Sequence, residues 1–141
     1  MTYINEKNLE KTKLLIRKAT PPIIVESQNN EYNRKLLEYG KFQALVLTPK
    51  EGRDKPKALD SGLNHVLAKI ASKNSIAICF DFERIPQLDK ETKAKTLSRI
   101  AQNIKICRKA NTNLGLINTP SKNILSALGA SSVQIKKAIV F

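Results

Sequence analysis

The sequence predicts an α/β domain in which short apolar strands alternate with helices and form a parallel sheet. The clearest signal is Ile76 to Phe82, an apolar run of strand length that follows directly on a stretch with helical periodicity. Comparable pairs of apolar run and amphipathic stretch recur along the chain, and strands spaced by helices usually lie parallel beneath a helical layer. At 141 residues, the chain is expected to fold as a single domain over 1–141.

The first part of the chain contains two helix–strand pairs. Pro21-Pro22 ends the first helix, because proline lacks the backbone N–H that a helix needs. Asn29 or Asn30 starts the second helix and Gly40 closes it. We therefore predict a helix over Glu6 to Lys18, a strand over Ile23 to Glu26, a short helix from Asn29 or Asn30 to Gly40 and a strand over Gln43 to Thr48.

The helix before Ile76 is predicted from one apolar side, formed by Leu59, Leu63, Val66, Leu67 and Ile70. Asp60 or Ser61 could cap its start, because a short side-chain oxygen accepts an unpaired backbone N–H there, and Asn74 is its expected end. Further on, we predict a long helix over Lys90 to Ala110 capped by Asp89, followed by a strand over Leu114 to Ile117. Short helices near Ser121 to Leu128 and Ser131 to Ala138 come next, and Ile139 to Phe141 is a final strand or an apolar end.

The charge of the chain points to a polyanionic partner. Its formal net charge is +13, its isoelectric point is near 9.9, and no Asp or Glu follows Glu91. A surface of this kind favours contact with nucleic acid, with an anionic membrane as the alternative.

The cysteines and the termini suggest an intracellular, cytoplasmic protein. Cys79 lies in an apolar strand and Cys107 on an apolar helix face, and neither has a nearby cysteine partner, so buried reduced thiols are expected. The opening residues MTYINEKN do not resemble a signal peptide, and no apolar run has the length of a membrane span.

The segment Ser61 to Lys69, SGLNHVLAK, followed by the strand Ile76-Ala77-Ile78, resembles the ribonuclease P protein component 3 family of archaea and eukaryotes. The resemblance continues in the same order along nearly the whole chain. Its further pieces are Pro22 to Val25, Asn33-Arg34, Ala44 to Leu47 with Glu51-Gly52-Arg53, Leu125 to Gly129, and Ile135 to Ala138. The family resemblance implies a partial or reduced (β/α) TIM-like barrel with parallel strands, in a chain shortened at both ends.

The same resemblance implies a non-catalytic subunit of the ribonuclease P ribonucleoprotein. In that family the RNA subunit, with bound Mg²⁺, removes the 5′ leader of precursor tRNA, and the protein binds the RNA together with a second small protein subunit. Precursor tRNA would then be an indirect partner, and no cofactor is expected on the protein. Gly62, Asn64, His65 and Lys69 carry the family motif without an assigned role. For His65, packing or capping is the simpler expectation, with RNA contact or subunit pairing as alternatives.

Basic side chains outside the motif are the RNA-binding candidates. Four of them lie in a loop rich in charge and turn residues, and one follows a strand. Three could form a basic stripe along the long helix, where a solvated helix face is the alternative. They are Lys50, Arg53, Lys55 and Lys57 in the loop, Arg84 after the strand, and Lys93, Arg99 and Lys105 on the helix. The few aromatic residues are scattered, which favours recognition of the RNA backbone and shape over base stacking.

No catalytic or metal site is expected in this chain. The loops after the predicted strands contain no His and few carboxylates, whereas a metal-dependent hydrolase needs several such ligands together. Asp81 and Glu83, two residues apart on the predicted strand, are interpreted as structural. Two other functions remain open: a reduced metal-dependent phosphoesterase barrel, and an unrelated basic domain that binds nucleic acid.

Overall fold

The computed structural model describes residues 1–47, 62–119 and 121–141. The strands of this part are β1 (Thr2–Ile4), β2 (Ile23–Glu26), β3 (Ala44–Val46), β4 (Ala77–Asp81), β5 (Leu114–Ile117) and β6 (Ile139–Val140). The helices are α1 (Leu9–Lys18), α2 (Asn30–Tyr39), α3 (His65–Lys73), α4 (Lys90–Ala110), α5 (Asn123–Ala127) and α6 (Ser132–Lys137), with a 3₁₀ helix over Phe82–Arg84.

All six described strands are parallel, and their order in the sheet is their order in the chain. Each strand is joined to the next by helical segments, and the sheet curls into a half-barrel. The predicted fold class, a partial TIM-like barrel, is confirmed. β1 was not predicted, because it has only three residues and lies next to polar sequence, yet Thr2 and Ile4 pair in register with Ile23 and Val25.

The two faces of the sheet carry separate apolar clusters, because side chains alternate along a strand. Val25, Leu45 and Ile78 belong to the larger cluster, together with buried residues of the helices. The smaller cluster covers the opposite face and consists of Ile24, Ala44, Val46, Ala77, Cys79 and Ile117, with Phe141 packed against it. The smaller face therefore forms the interior of the half-barrel.

Gly115 permits close packing inside the half-barrel. A Cβ atom on Gly115 would lie 2.2 Å from the Sγ atom of Cys79 and 3.1 Å from the ring of Phe141. The position has room only for hydrogen. Cys79 and Cys107 are both buried free thiols, as predicted. Burial raises the pKa of both thiols, that of Cys107 to about 12.

Helix α3 starts later than predicted. Asn64 caps it by accepting the backbone N–H of Leu67 at 2.9 Å, so the predicted cap position was wrong. The residues predicted as the cap, Asp60 and Ser61, lie outside the described residues. Gly62 has a φ of +79°, which a helix cannot accommodate. Val66 was predicted on the buried side but is 56% exposed, because the buried side of α3 is formed by Leu67, Ala68 and Ala71.

Most other helix ends follow the predictions, although α1 starts at Leu9, capped by Asn8, and not at Glu6. Asn74 ends α3, although the left-handed residue there is Ser75, and Asn29 and Gly40 bound α2. Helix α4 has the predicted bounds, and Asp89 caps it by accepting the N–H and the hydroxyl of Thr92. The backbone hydrogen bond from Thr92 lowers the pKa of that carboxyl. None of the helices in the described ranges is long and apolar enough to cross a membrane.

Candidate RNA interface

Arg84 lies at the carboxyl ends of the strands and is held by three side chains from different elements. Its Nε donates to Asp81 Oδ2 at 3.1 Å, its Nη2 donates to the Tyr3 hydroxyl at 2.7 Å, and its Nη1 pairs with Glu26. Burial lowers the pKa of this guanidinium, but the hydrogen bond and charge of Glu26 outweigh it and the pKa is raised. Each nitrogen of Arg84 thus has a partner within the protein, and its proposed RNA contact stays a prediction.

The acidic residues beside Arg84 do not form the pair that the sequence suggested. Asp81 ends β4, but Glu83 lies in the following 3₁₀ helix and is exposed. The assumption that both lie on one strand was wrong, because the chain turns immediately after Asp81, whose carboxylate accepts the Glu83 N–H at 3.1 Å. Within the described residues, no group of three or more His, Cys, Asp or Glu side chains could hold a metal ion.

The prediction that three basic residues form a stripe along one side of α4 is wrong. Lys93, Arg99 and Lys105 are six residues apart, and six residues turn a helix through about 600°, so the three side chains point in three directions about 120° apart. Arg99 is accordingly 9% exposed, Lys93 is half-buried, and Lys105 is exposed. The role of each in RNA binding remains a prediction, and Lys105 is the best placed of the three.

Lys105 lines a cleft of about 490 Å³ between α3 and α4. The other lining residues are His65 from the start of α3 and Gln102, Ile106 and Lys109 from α4. The helices are fixed side by side by two hydrogen bonds: the Ser72 hydroxyl donates to the Asn111 carbonyl at 3.0 Å, and the Thr112 hydroxyl donates to the Ala68 carbonyl at 2.7 Å. The cleft is therefore a surface between two packed helices.

The motif residues are explained by the start of α3. Gly62 supplies a left-handed backbone conformation and Asn64 supplies the cap. His65 is the first helical residue and is exposed at the cleft, so the simpler expectation of a packing or capping histidine was wrong. Lys69 is one helical turn further on and is also exposed. The sequence alone did not reveal this arrangement, because it depends on how α3 meets α4.

The loop candidates Lys50, Arg53, Lys55 and Lys57 lie outside the described residues. Their proposed phosphate contacts stay predictions.

The chain is similar to curated and solved ribonuclease P proteins, although no protein-family model matches it. Ribonuclease P protein component 3 of Methanocaldococcus jannaschii is 32% identical over 101 residues, which are 72% of this chain and 40% of that protein. The same component of Methanococcus maripaludis is 29% identical over 108 residues, 77% of this chain and 44% of that protein. The chain thus spans less than half the length of these relatives.

The fold gives a second, longer match. A chain from the cryo-EM structure of archaeal ribonuclease P with mature tRNA superposes with a TM-score of 0.76 and 26% identity, over 96% of this chain and 62% of that one. Sequence and fold together confirm the predicted resemblance: the chain is homologous to ribonuclease P protein component 3 over the part of that protein that it spans.

Proposed function

We propose that the chain is a non-catalytic protein subunit of ribonuclease P that binds the RNase P RNA and supports removal of the 5′ leader from precursor tRNA. The observation that carries this proposal is the structural match to a chain of archaeal ribonuclease P, combined with the similarity to component 3. In this proposal the chemistry belongs to the RNA and its Mg²⁺ ions, and precursor tRNA is reached through the RNA.

The charge distribution supports RNA as the partner. The chain carries a net charge of +13, and its 50 residues after Glu91 contain no carboxylate side chain, so the positive field of this part is not neutralised locally. Short-range contacts to phosphates would release counterions and make binding depend steeply on salt. A cytoplasmic location follows from the proposed role.

A second small protein subunit is the proposed protein partner. Ile139 and Val140 form the last strand of the described sheet and are 40% and 46% exposed, and Leu14 and Leu15 are exposed on α1. Exposed apolar side chains of this kind support a protein contact.

The proposal is tested by isolating the tagged chain from its native cells and sequencing the RNA that accompanies it. Enrichment of RNase P RNA over ribosomal and messenger RNA is the expected result. An RNA population that follows cellular abundance would contradict the proposal and favour a general nucleic-acid-binding domain.

A reconstitution assay tests the functional part. Adding the purified chain and the second protein subunit to RNase P RNA should lower the Mg²⁺ concentration needed for cleavage of precursor tRNA. The matched control omits the RNA, and no cleavage is expected there. Metal-dependent cleavage by the protein alone would favour the phosphoesterase function instead.

A further inference from the structure

The cleft between α3 and α4 is lined by two lysines and a histidine. His65 contributes from α3, Lys105 and Lys109 contribute from α4, and all three side chains are exposed. Lys105 and Lys109 are four residues apart, so they lie on the same side of α4, with Cβ atoms roughly 5–6 Å apart. Lys69 has the same relation to His65 on α3. His65 and the two lysines of α4 therefore line one cleft, and the exposed Lys69 lies one helical turn beyond His65 on the same side of α3, outside the lining residues.

No carboxylate of these two helices opposes the cleft. α3 contains no Asp or Glu, and the only acidic residue of α4, Glu91, lies in its first turn and pairs with Lys95 at 3.3 Å. Among the ion pairs between described residues, none involves Lys105, Lys109 or Lys69. Among the described residues, the lysines of the cleft therefore have no ion-pair partner.

The opposite flank of α3 is different. There α3 meets α2, and a second cleft is lined by residues that include Glu31 and Arg34. The charges of that flank are balanced: Arg34 pairs with Glu38 at 3.2 Å and Lys35 pairs with Glu31 at 3.1 Å. The contrast between the two flanks of one helix distinguishes the α3–α4 cleft from an ordinary solvated helix surface.

The lining of the α3–α4 cleft fits a phosphate chain better than nucleobases. Its only ring is the imidazole of His65, and the other polar groups are two ammonium groups and an amide, with no Phe, Tyr or Trp to form a stacking platform. The volume of the cleft is about 490 Å³, which is in the range of ligand-binding pockets. The cleft lies between two helices, so a segment of RNA backbone could lie along it.

We propose that the α3–α4 cleft binds consecutive phosphates of an RNA backbone, with Lys105 and Lys109 as the principal cations and His65 and Lys69 as contacts from the other wall. This proposal rests on the proposed function for the identity of the RNA, and it assigns a role to two residues of the family motif. Binding through phosphates makes the cleft independent of base sequence.

The test uses two RNA probes and three variants of the full chain. One probe is RNase P RNA, and the other is a short RNA duplex of arbitrary sequence. The cleft variants are Lys105→Gln/Lys109→Gln and His65→Gln/Lys69→Gln. The control is Arg34→Gln/Lys35→Gln, which removes the same charge from α2, where both side chains are paired with glutamates. Circular dichroism and thermal melting verify that each variant is folded.

For both probes, Lys105→Gln/Lys109→Gln should bind roughly tenfold more weakly at low salt and lower the slope of log affinity against log salt by about 1.5 units. The His65→Gln/Lys69→Gln variant should weaken binding by a smaller factor, and the control should leave the slope unchanged. Lys105 and Lys109 should also be protected from acetylation by either RNA, whereas Lys35 should not.

The possible outcomes distinguish a failure of the cleft proposal from a failure of the proposed function. Wild-type affinity and slope in both cleft variants would overturn the cleft proposal while leaving the subunit role intact. If the wild type bound both probes with equal affinity, this result would count against the subunit role. If the cleft variants still lowered the salt slope for the duplex, the cleft proposal would nevertheless be supported. Loss of binding to the second protein subunit, with RNA binding unchanged, would show that the cleft is a protein-binding surface and overturn the proposal.

Discussion

Arg84 Nη2 donates to the hydroxyl of Tyr3 at 2.7 Å, across 81 positions of the chain. This bond joins the 3₁₀ helix after β4 to β1, an edge strand of the described sheet, while the same guanidinium pairs with Glu26 at the end of β2. Burial and the charge of Glu26 raise the pKa of Tyr3. Arg84 therefore ties together three strands of the half-barrel at their carboxyl ends.

Replacing Arg84 with Met should destabilise the fold. The carboxylates of Glu26 and Asp81 are only 9% and 10% exposed, so loss of the guanidinium would leave two negative charges with little water near them. We expect a loss of about 2–3 kcal/mol in the free energy of unfolding, less than for a fully buried pair because Arg84 itself is 37% exposed. Urea denaturation measures this change. Arg34→Met, which breaks an exposed pair, is the control and should cost under about 1 kcal/mol.

Gly115→Ala should destabilise the interior of the half-barrel through overpacking. The new methyl group would lie 2.2 Å from Cys79 Sγ, and displacing that sulfur should cost about 1–3 kcal/mol. Cys79→Ala removes the obstructing atom, so the double variant should be more stable than Gly115→Ala alone. Unfolding midpoints of the wild type, both single variants and the double variant give the coupling energy. Additive effects would show that the two positions do not interact.

Asn64→Ala should weaken α3 by about 1 kcal/mol, because the backbone N–H of Leu67 loses its cap. Asn64→Ser should restore most of the loss, since the serine hydroxyl can accept the same N–H. Amide hydrogen exchange in the first turn of α3 reports the change directly. If Asn64→Ala protects these amides as well as the wild type does, the cap would contribute nothing to the helix.

The buried thiols should make the protein less stable at alkaline pH. The pKa of Cys107 is raised to about 12 and that of Cys79 is also raised, whereas an unfolded thiol titrates near ~8.5. Above about pH 9 the unfolded state therefore releases protons that the folded state keeps, and stability falls as pH rises by about 1.4 kcal/mol per pH unit and thiol. Urea midpoints between about pH 8 and pH 10 measure the slope.

Variants identify the source of that slope. Cys107→Ala should remove the contribution of the Cys107 thiol to the slope of stability against pH. Cys79→Ala should remove the contribution of the Cys79 thiol. A slope unchanged in both variants would mean that tyrosines or lysines cause it.

The elements whose signals are local were predictable from the sequence. Helix α4 has an acidic cap at Asp89, a long apolar period and Asn111 at its end, and its predicted bounds are confirmed. The predicted start of α3 was wrong because Leu59 and Leu63 extend the apolar pattern upstream of the true cap, Asn64. The positive φ of Gly62 keeps the helix from extending further back. The three-residue strand β1 is identified only by its pairing with β2.

The site was less predictable, because it depends on contacts between distant segments. Arg84 lies just after a strand, as predicted, but its partners Tyr3 and Glu26 lie 81 and 58 positions earlier in the chain. A sequence pattern cannot show that these groups meet. The α3–α4 cleft was missed for the same reason, since His65 and Lys105 are brought together only when the two helices pack.

The sequential order of the strands has a consequence for how the chain folds. Every strand pairing joins residues between 20 and 36 positions apart, from Ile24 with Ala44 to Ile78 with Leu114. A parallel sheet in this order closes only loops of moderate length, so its contact order is low for a parallel architecture and the entropy lost at each closure is modest. During synthesis, each new strand can add to a sheet edge that is already formed, and the half-barrel can therefore assemble from its amino-terminal edge as the chain leaves the ribosome.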